Sequence, residues 1–277
     1  MSSGVTYLEV QRTCGIQSNV ISNADVTALI TEAEYSIERF LNTAIGAKTK
    51  IDYLDTSFGV APEYLVLSAN PILTINYVKV DTTAVSPKYV KIYPGGIIQL
   101  TNDAEEVTWD DSNPQSNIIQ YKYGLLEEST TESTLSTAIT DGSEAADYEL
   151  QITSTTGFSD DDWIKVEGTD GYREVMQVET VGTGTALGNI EYPHVKGSRV
   201  IKMQVPYLIK RLVELIASEM MVARIVGASY TDIVGYGLGD MSVQKGEPYT
   251  QWRETYKQLD NERKLILKSL RPRPIVA

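Results

Sequence analysis

The chain has 277 residues, 42% of them hydrophobic, and a formal net charge of −13 at pH 7; this length and composition suffice for one large domain or two modest ones with real cores. A single cysteine excludes an internal disulfide framework, and one histidine with one cysteine excludes a zinc site unless carboxylates supply the other ligands. The acidity argues against broad binding of a phosphate backbone, and residues 1–10 lack the basic and apolar segments of a secretory signal.

The first predicted element is a helix from Ser22 to Leu41. Ser22 or Asn23 caps it, and Asp25 lies in its first turn, where a negative charge favours the helix dipole. Its apolar residues recur at spacings of three and four: Val26, Leu29, Ile30, Ala33, Ile37, Phe40 and Leu41. One face of this helix is therefore expected to be buried.

From Lys50 to Tyr123 the apolar period changes to two, and turn residues separate the short segments. The predicted strands are Thr49–Ser57, Tyr64–Ser68, Ile72–Asp81, Tyr89–Tyr93, Ile97–Thr101, Glu105–Trp109 and Asn117–Tyr123. No crossover helix fits between them, so we expect an antiparallel sheet of short strands.

Residues 125–139 are rich in Ser, Thr and Glu and are predicted to form a linker. A second run of strands follows: Tyr148–Ser154, Trp163–Glu167, Tyr172–Thr180, Ala186–Tyr192 and Arg199–Met203. Between Leu125 and Gln204 there are fifteen acidic against five basic residues, a balance of −10. This segment is therefore predicted to be a small β module that carries most of the net charge.

The next predicted helix begins at Pro206, which suits a first helical position, and ends before Gly227, which suits the C′ position. Apolar residues cover about half of its circumference or more. It serves either as a central core helix alone or as one that also faces a second partner. Its five charged side chains exclude a membrane span.

A glycine-rich loop, 228–246, leads to a last predicted helix from Glu247 or Pro248 to Leu270, in which Arg263 falls on the apolar seam. The basic, proline-containing tail 271–277 cannot be helical and should be extended. Composition leaves two roles open for this tail: a solvated end, or a peptide that docks into a groove of another subunit.

Motifs for catalysis are missing from the sequence. The spacing of Gly235, Gly237 and Gly239 fits neither a dinucleotide nor a P-loop fingerprint. Asp160–Asp162 could hold a hard cation together with Glu167 or Asp170, but the run lacks EF-hand spacing and a solvated turn is favoured. His194 is expected to lie in a surface turn. We therefore predict a protein that is not an enzyme and has no cofactor or metal.

The order of elements resembles the head-tail connector (adaptor) proteins of tailed viruses of bacteria and archaea. The pieces that carry the resemblance are the Ser22–Leu41 helix, the strand Ile118–Gly124, the helix start Val205–Lys210, the loop Gly239–Val243 and the closing helix with Trp252. In that family a Tyr-x-x-Gly strand end is followed within a few residues by the Pro-led helix. Here about eighty residues intervene, which indicates an insertion, and the insert is similar to small β modules of other virion tail proteins.

The resemblance implies an α+β fold. A helical connector domain of about three helices with a short-stranded antiparallel β region would comprise residues 1–124 and 205–277, and residues 125–204 would form an inserted small all-β domain. It also implies a homo-oligomeric ring, typically of twelve copies, in the virion neck, assembled in the host cytoplasm. The ring would join the portal protein to the next neck or tail-completion protein and surround passing genomic DNA without sequence-specific binding or contact with a membrane.

Site residues follow from the same resemblance. Portal binding would use the end of the last helix and the tail, namely Lys268, Arg271, Pro272, Arg273, Pro274 and Ile275. The subunit interface would comprise Leu208, Leu212, Leu215, Met220, Trp252 and Tyr256. A loop facing the lumen or the neck would comprise Gly235, Tyr236, Gly237, Gly239 and Asp240.

One alternative belongs to another functional class, a host-adhesion or carbohydrate-binding protein that uses the inserted β module. It predicts a cleft of exposed aromatic side chains around Trp163 and Tyr172.

Overall fold

The structure, a computed structural model, describes residues 3–15, 21–55, 63–101, 108–109, 115–140, 148–231 and 247–270, with the backbone alone at 226–231 and 247–253. The chain divides into two compact units. A helical unit comprises Met1–Leu41 and Pro206–Ala277, and a β unit comprises Asn42–Val205.

The expected α+β fold, a mainly helical connector with a small β region, is wrong. Over the described ranges the chain has thirteen strands in three antiparallel sheets beside four α-helices, so large β-sheets form a major part of the fold and not a small region of a helical domain. One cause is the segment 125–139, which was predicted as a linker but contains the strand Glu127–Thr134. Its threonines suit a pleated surface, and polar side chains are compatible with a strand whose one face is solvated.

The four helices are α1 (Tyr7–Cys14), α2 (Asn23–Leu41), α3 (Tyr207–Thr231) and α4 (Glu247–Leu270). The predicted start of α2 is confirmed, since Ser22 Oγ accepts a hydrogen bond from the Asp25 N–H at 3.1 Å. The predicted bounds of α4 are confirmed as well.

Two details of the helices differ from the prediction. Helix α1 was not predicted, although Thr6 and Glu9 form a capping box at its start, a Thr-x-x-Glu signal that is readable in the sequence. Helix α3 continues through Gly227 to Thr231, so this glycine is not a C′ residue. An interior glycine costs about 1 kcal/mol relative to alanine, which does not prevent helix continuation here.

The strands of the β unit are β1 (Lys48–Leu54), β2 (Tyr64–Val66), β3 (Ile72–Val80), β4 (Thr83–Val85), β5 (Val90–Tyr93), β6 (Ile97–Leu100), β7 (Asn117–Tyr123), β8 (Glu127–Thr134), β9 (Tyr148–Gln151), β10 (Trp163–Glu167), β11 (Arg173–Gly182), β12 (Thr185–Gly188) and β13 (Arg199–Gln204). A single 3₁₀ turn, Pro87–Tyr89, precedes β5. The predicted strand Glu105–Trp109 falls mostly outside the described residues.

The strands before residue 124 form two sheets that share one core. A four-stranded sheet has the order β1-β7-β3-β4, and a three-stranded sheet has the order β2-β6-β5. Both contribute buried residues to a single apolar cluster, which includes Leu65, Ile98, Val78, Ile119 and Tyr121. The predicted antiparallel pairing of this region is confirmed.

A buried carboxylate links these two sheets. Asp52 of β1 accepts hydrogen bonds from the Ser68 N–H at 2.7 Å, the Ser68 hydroxyl at 2.6 Å and the Tyr121 hydroxyl at 2.9 Å. Burial alone would raise the pKa of Asp52, but these hydrogen bonds stabilise the charged form more strongly and lower the pKa. Burial, together with this carboxylate, raises the pKa of Tyr121 to about 12.

The remaining six strands close into a small barrel. Their order is β8-β13-β10-β11-β12-β9, and each neighbouring pair is antiparallel. The two outer strands meet beyond their ends, because Ser136 N donates to Gln151 O at 2.9 Å and Thr153 N donates to Thr134 O at 2.8 Å. This junction joins the two edges of the sheet at one point, and bulges in the β11 and β13 pairings help the sheet to curve.

The barrel lies between Glu127 and Gln204 but belongs to the same compact unit as the strands that precede it. The division expected at 124/125 and 204/205 stays a prediction. Gly124, where that division was placed, has φ +150° and lies against the backbone of Gly46: a Cβ at residue 124 would stand 1.6 Å from the Gly46 carbonyl oxygen. Only glycine fits at this strand end without displacement of the backbone.

We predict that Asp52→Asn lowers the free energy of unfolding at neutral pH by about 2 kcal/mol, because a charged acceptor of three hydrogen bonds is lost. The folded pKa of Asp52 lies below its unfolded value, so its contribution is present above the unfolded pKa, about 3.9, and is lost as the pH falls through the folded value. Urea unfolding of both proteins across this pH range measures the difference, which should shrink on acidification.

The matched control is Asp81→Asn, because Asp81 is an exposed turn residue. Its free energy of unfolding should stay close to that of the wild type at every pH. A difference between wild type and Asp52→Asn that grows on acidification would contradict the assignment.

Candidate assembly surface and polar centres

Helix α3 is the centre of the helical unit and packs against α1, α2 and α4. Its fully or nearly fully buried apolar residues are Ile209, Leu212, Val213, Leu215, Ala217, Met221 and Val222. Three partners within the same chain therefore account for the breadth of its apolar surface.

Side-chain contacts within the helical unit show how α1 and α2 run relative to α3. Asp25 near the start of α2 pairs with Arg224 near the end of α3 at 3.2 Å, so α2 is antiparallel to α3. Glu9 of α1 pairs with Lys210 at 3.2 Å, and Cys14 of α1 contacts the Ser218 carbonyl, so α1 is parallel to α3.

Arg211 of α3 connects three helices. It donates to both carboxylate oxygens of Glu262 in α4 at 2.8 and 3.0 Å, pairs with Glu214 at 2.9 Å and reaches the hydroxyl of Thr13 in α1. The hydrogen bonds from Arg211 to Glu262, together with the charge of Glu214, raise the pKa of Arg211. The sequence alone shows Arg211 only as one of the five charged residues of this helix and does not reveal its partners in α1 and α4.

The arginine on the apolar seam of α4 has a partner in α3. Arg263 pairs with Glu219 at 2.9 Å and with Asp260 of its own helix at 2.5 Å. Glu219 is 5% exposed, and burial raises its pKa despite the opposing charge of Arg263. A polar residue on this seam is tolerated because it neutralises a carboxylate that α3 buries.

Large apolar side chains are exposed at one end of the helical unit, where α1 and α3 begin and α2 ends. We call this set the apolar end: Leu8, Phe40, Tyr207, Leu208 and Leu265. Tyr207 is 73% exposed and Leu265 69%. Phe40 had been predicted to be buried, which is wrong. The Arg211–Glu262 ion pair brings the C-terminal part of α4, which includes the exposed Leu265 and Lys268, close to the first turns of α3.

The predicted site residues are distributed unevenly. Leu208 and Tyr256 are exposed and Met220 is half-buried, whereas Leu212 and Leu215 are fully buried within the chain. Trp252 lies in α4, with its side chain outside the description. Also outside the described residues lie the predicted portal contacts Arg271, Pro272, Arg273, Pro274 and Ile275 and the loop residues Gly235, Tyr236, Gly237, Gly239 and Asp240.

Charge is partitioned between the two units. The helical unit holds thirteen acidic and thirteen basic residues and is formally neutral. The β unit holds twenty-four acidic and eleven basic residues, which gives it the whole net charge of −13. Contact between copies through the helical units would therefore meet no net repulsion, whereas contact through the β units would.

The histidine is buried, so its prediction as a surface turn residue is wrong. His194 is 1% exposed because its backbone pairs with Ile139 in the barrel wall, and its Nε2 lies 3.0 Å from Oε1 of Glu174. The Glu174 carboxylate also accepts the N–H groups of Glu191 and Tyr192, both at 2.7 Å. The residues around His194 read as a short polar turn in the sequence, and nothing in them indicates that the imidazole is directed into the protein.

This polar centre lies where the barrel meets the four-stranded sheet. Thr74 donates to the Arg173 carbonyl at 2.7 Å, Asn76 donates to Glu191 at 2.9 Å, and the Lys122 ammonium donates to the Val175 carbonyl at 2.6 Å. Burial lowers the pKa of Lys122. These contacts hold the barrel against the sheet.

The aromatic cleft that a carbohydrate-binding protein would need is only partly present. Tyr172 is half-buried, stacks on Tyr192 at 5.1 Å and shares a hydrogen bond with Ser86. Trp163 instead lines a separate cleft of about 230 Å³ together with Gln177 and Asn189.

The aspartate run forms a turn in which two of the three carboxylates, those of Asp160 and Asp162, have partners within the chain. Asp160 accepts the Val181 N–H at 2.7 Å, and Asp162 accepts the Ser159 N–H and pairs with Lys202 at 2.6 Å. Across the ranges that the structure describes, no group of three or more His, Cys, Asp or Glu side chains could hold a metal ion. No helix in those ranges is long and apolar enough to cross a membrane.

In comparisons with known proteins, no family model matches the chain and no curated protein is significantly similar to it.

We predict that Arg263→Leu lowers the free energy of unfolding by about 1–2 kcal/mol, because Glu219 keeps its burial but loses its cation, an effect moderated by the partial exposure of Arg263. The double variant Glu219→Leu/Arg263→Leu should recover most of this loss, since both seam positions then become apolar. Chemical denaturation of the three proteins measures the coupling.

Lys264→Ala is the control, because the Lys264 ion pair with Asp260 is largely exposed and should contribute less than about 0.5 kcal/mol. If the double variant were less stable than Arg263→Leu alone, the seam would require the ion pair itself.

Proposed function

We propose that this chain is a structural virion protein that forms the ring-shaped adaptor between the capsid portal and the neck or tail of a tailed virus. The observation that carries the proposal is the apolar end of the helical unit, with Tyr207, Leu208 and Leu265 exposed. Large apolar side chains in such a set are typical of protein interfaces. The order of sequence elements, which resembles head-tail connectors, supports the same function.

The charge partition supports assembly through the helical unit. Copies of a protein with a net charge of −13 repel one another, and the repulsion is weakest where the neutral helical units meet. In the proposed ring the helical units form the contacts between copies, and Leu208 and Tyr256 remain as accessible members of the predicted interface.

The proposed partners are the portal protein and the next neck protein. The last turn of α4 presents the exposed Lys268 and leads into the basic tail that we propose for portal binding. The net acidity of the chain suits a ring through which genomic DNA passes without being held.

We predict that the purified chain, alone or with the portal protein of the same virus, forms a discrete multi-copy ring, and that Leu208→Asp converts it to a monomer of 30.6 kDa. A buried carboxylate at an apolar contact costs several kcal/mol and would prevent assembly. Mass photometry gives the copy number, and negative-stain microscopy shows whether the particle is a ring.

Val66→Asp is the matched control, because Val66 is 61% exposed but lies in the β unit. This variant should assemble normally. A wild-type chain that stays monomeric and does not bind the portal would refute the proposal, and equal loss of assembly in both variants would refute the helical interface.

A second candidate function is recognition of a saccharide by the barrel. The cleft that Trp163 lines with Gln177 and Asn189 favours it, since an indole ring and two amides can stack on and hydrogen-bond a sugar.

For this candidate we predict that the chain binds one or more glycans on an array and that Trp163→Ala abolishes this binding. Tyr53→Ala, which removes an exposed aromatic side chain of β1, should bind as the wild type does. Failure of the wild type to bind any glycan would exclude this role.

A further inference from the structure

A second, larger cleft opens in the β unit where its three sheets come together. It has a volume of about 500 Å³, in the range of small-molecule sites. Its walls come from the start of β3, the 3₁₀ turn with β5, and the barrel strands β10 and β11. None of the predicted site residues lies in it.

Basic side chains are concentrated in this cleft. Four of the eleven basic residues of the β unit line it: Lys88, Lys91, Lys165 and Arg173. Among the residues that line it no aspartate or glutamate is found, although acidic residues outnumber basic ones by twenty-four to eleven in the same unit. The cleft therefore has the opposite electrostatic character to the unit that contains it.

Two of these cations are held in place by carboxylates that do not line the cleft. Lys165 pairs with Glu128 at 2.8 Å and with Glu167 at 3.4 Å, and Arg173 pairs with the same Glu167 at 2.8 Å. These pairs fix the positions of the two cations and reduce their net charge. They make this wall of the cleft rigid and polar.

The other two cations are available to a ligand. Lys88 lies over the rings of Tyr89 and Tyr172, 4.9 and 5.6 Å from their centroids, with Asp170 in its vicinity. Lys91 is exposed, and within the described ranges neither lysine forms an ion pair with a carboxylate. Binding an anion would thus not require the loss of an existing salt bridge.

The remaining lining is largely apolar, with Ile72, Val90, Ile92 and Tyr93 as its main members. Ile92 is 39% exposed and Tyr93 37%, so apolar surface is available beside the two lysines. A ligand that fits both features has an anionic group next to a hydrocarbon body.

We propose that this cleft is a binding site for an amphipathic organic anion, with Lys88 and Lys91 on its phosphate or carboxylate group and Ile72 and Ile92 against its apolar part. The site is independent of the proposed ring, because none of its residues belongs to the helical unit.

Isothermal titration calorimetry of the full chain with hexyl phosphate, hexanoate, inorganic phosphate and hexanol tests the proposal. Hexyl phosphate should bind at millimolar concentration or below, more tightly than inorganic phosphate, which lacks the apolar body, and hexanol should not bind. Binding of hexanoate extends the site to carboxylates, whereas its absence restricts the site to phosphates.

Lys88→Ala/Lys91→Ala should weaken hexyl phosphate binding about tenfold or more, the scale of one or two charge-assisted hydrogen bonds. Both lysines are exposed, so the fold should survive, which circular dichroism checks. The control is Lys196→Ala, an exposed lysine outside the cleft, which should bind as the wild type does.

Three results would overturn the proposal: no binding of either amphipathic anion, equal binding of hexanol and hexyl phosphate, or the same loss of affinity in Lys196→Ala as in the cleft variant.

Discussion

The helical unit depends on contacts between the two ends of the chain. Helix α3, from the C-terminal part, is covered by α1 and α2 from the N-terminal part as well as by α4, and its core residues are almost completely buried. Burial of this kind is the main favourable term in folding, and neither terminal segment has it alone. The unit can therefore be complete only after α3 and α4 have been synthesised, which follow the whole of the β unit in the chain.

Buried charges in the two units follow one rule. Asp52, Glu174 and Glu219 are all less than 10% exposed, and each has a specific compensation: hydroxyl and N–H donors for Asp52, two N–H groups with His194 for Glu174, and Arg263 for Glu219. Unpaired, each would cost several kcal/mol. Each of these three buried carboxylates thus has hydrogen-bond donors or a cation beside it.

Local signals in the sequence predicted single helices and strands better than the relative amounts of helix and sheet in the fold. The Ser22 cap and the 3-4 spacing predicted α2, and the same spacing predicted α4, because both signals depend only on residues a few positions apart. The breadth of the apolar surface of α3 was visible, but whether it faced two helices or three, or another copy, depends on tertiary contacts that no local pattern contains. The polar strand β8 and the buried His194 were missed for the same reason, since both are defined by distant partners, Arg199–Gln204 and Glu174.

The first and last strands of the barrel, β8 and β13, are neighbours in its wall, and Gln204 is the pairing partner of Glu127. Paired residues in adjacent antiparallel strands lie about 5 Å apart. The polypeptide therefore leaves the barrel beside the point at which it entered, so that seventy-odd residues could be gained or lost in a single genetic event while the flanking backbone stayed in register. A segment with this geometry is transferable: the same barrel could be spliced into other hosts, and a short turn from Leu126 to Val205 could replace it here.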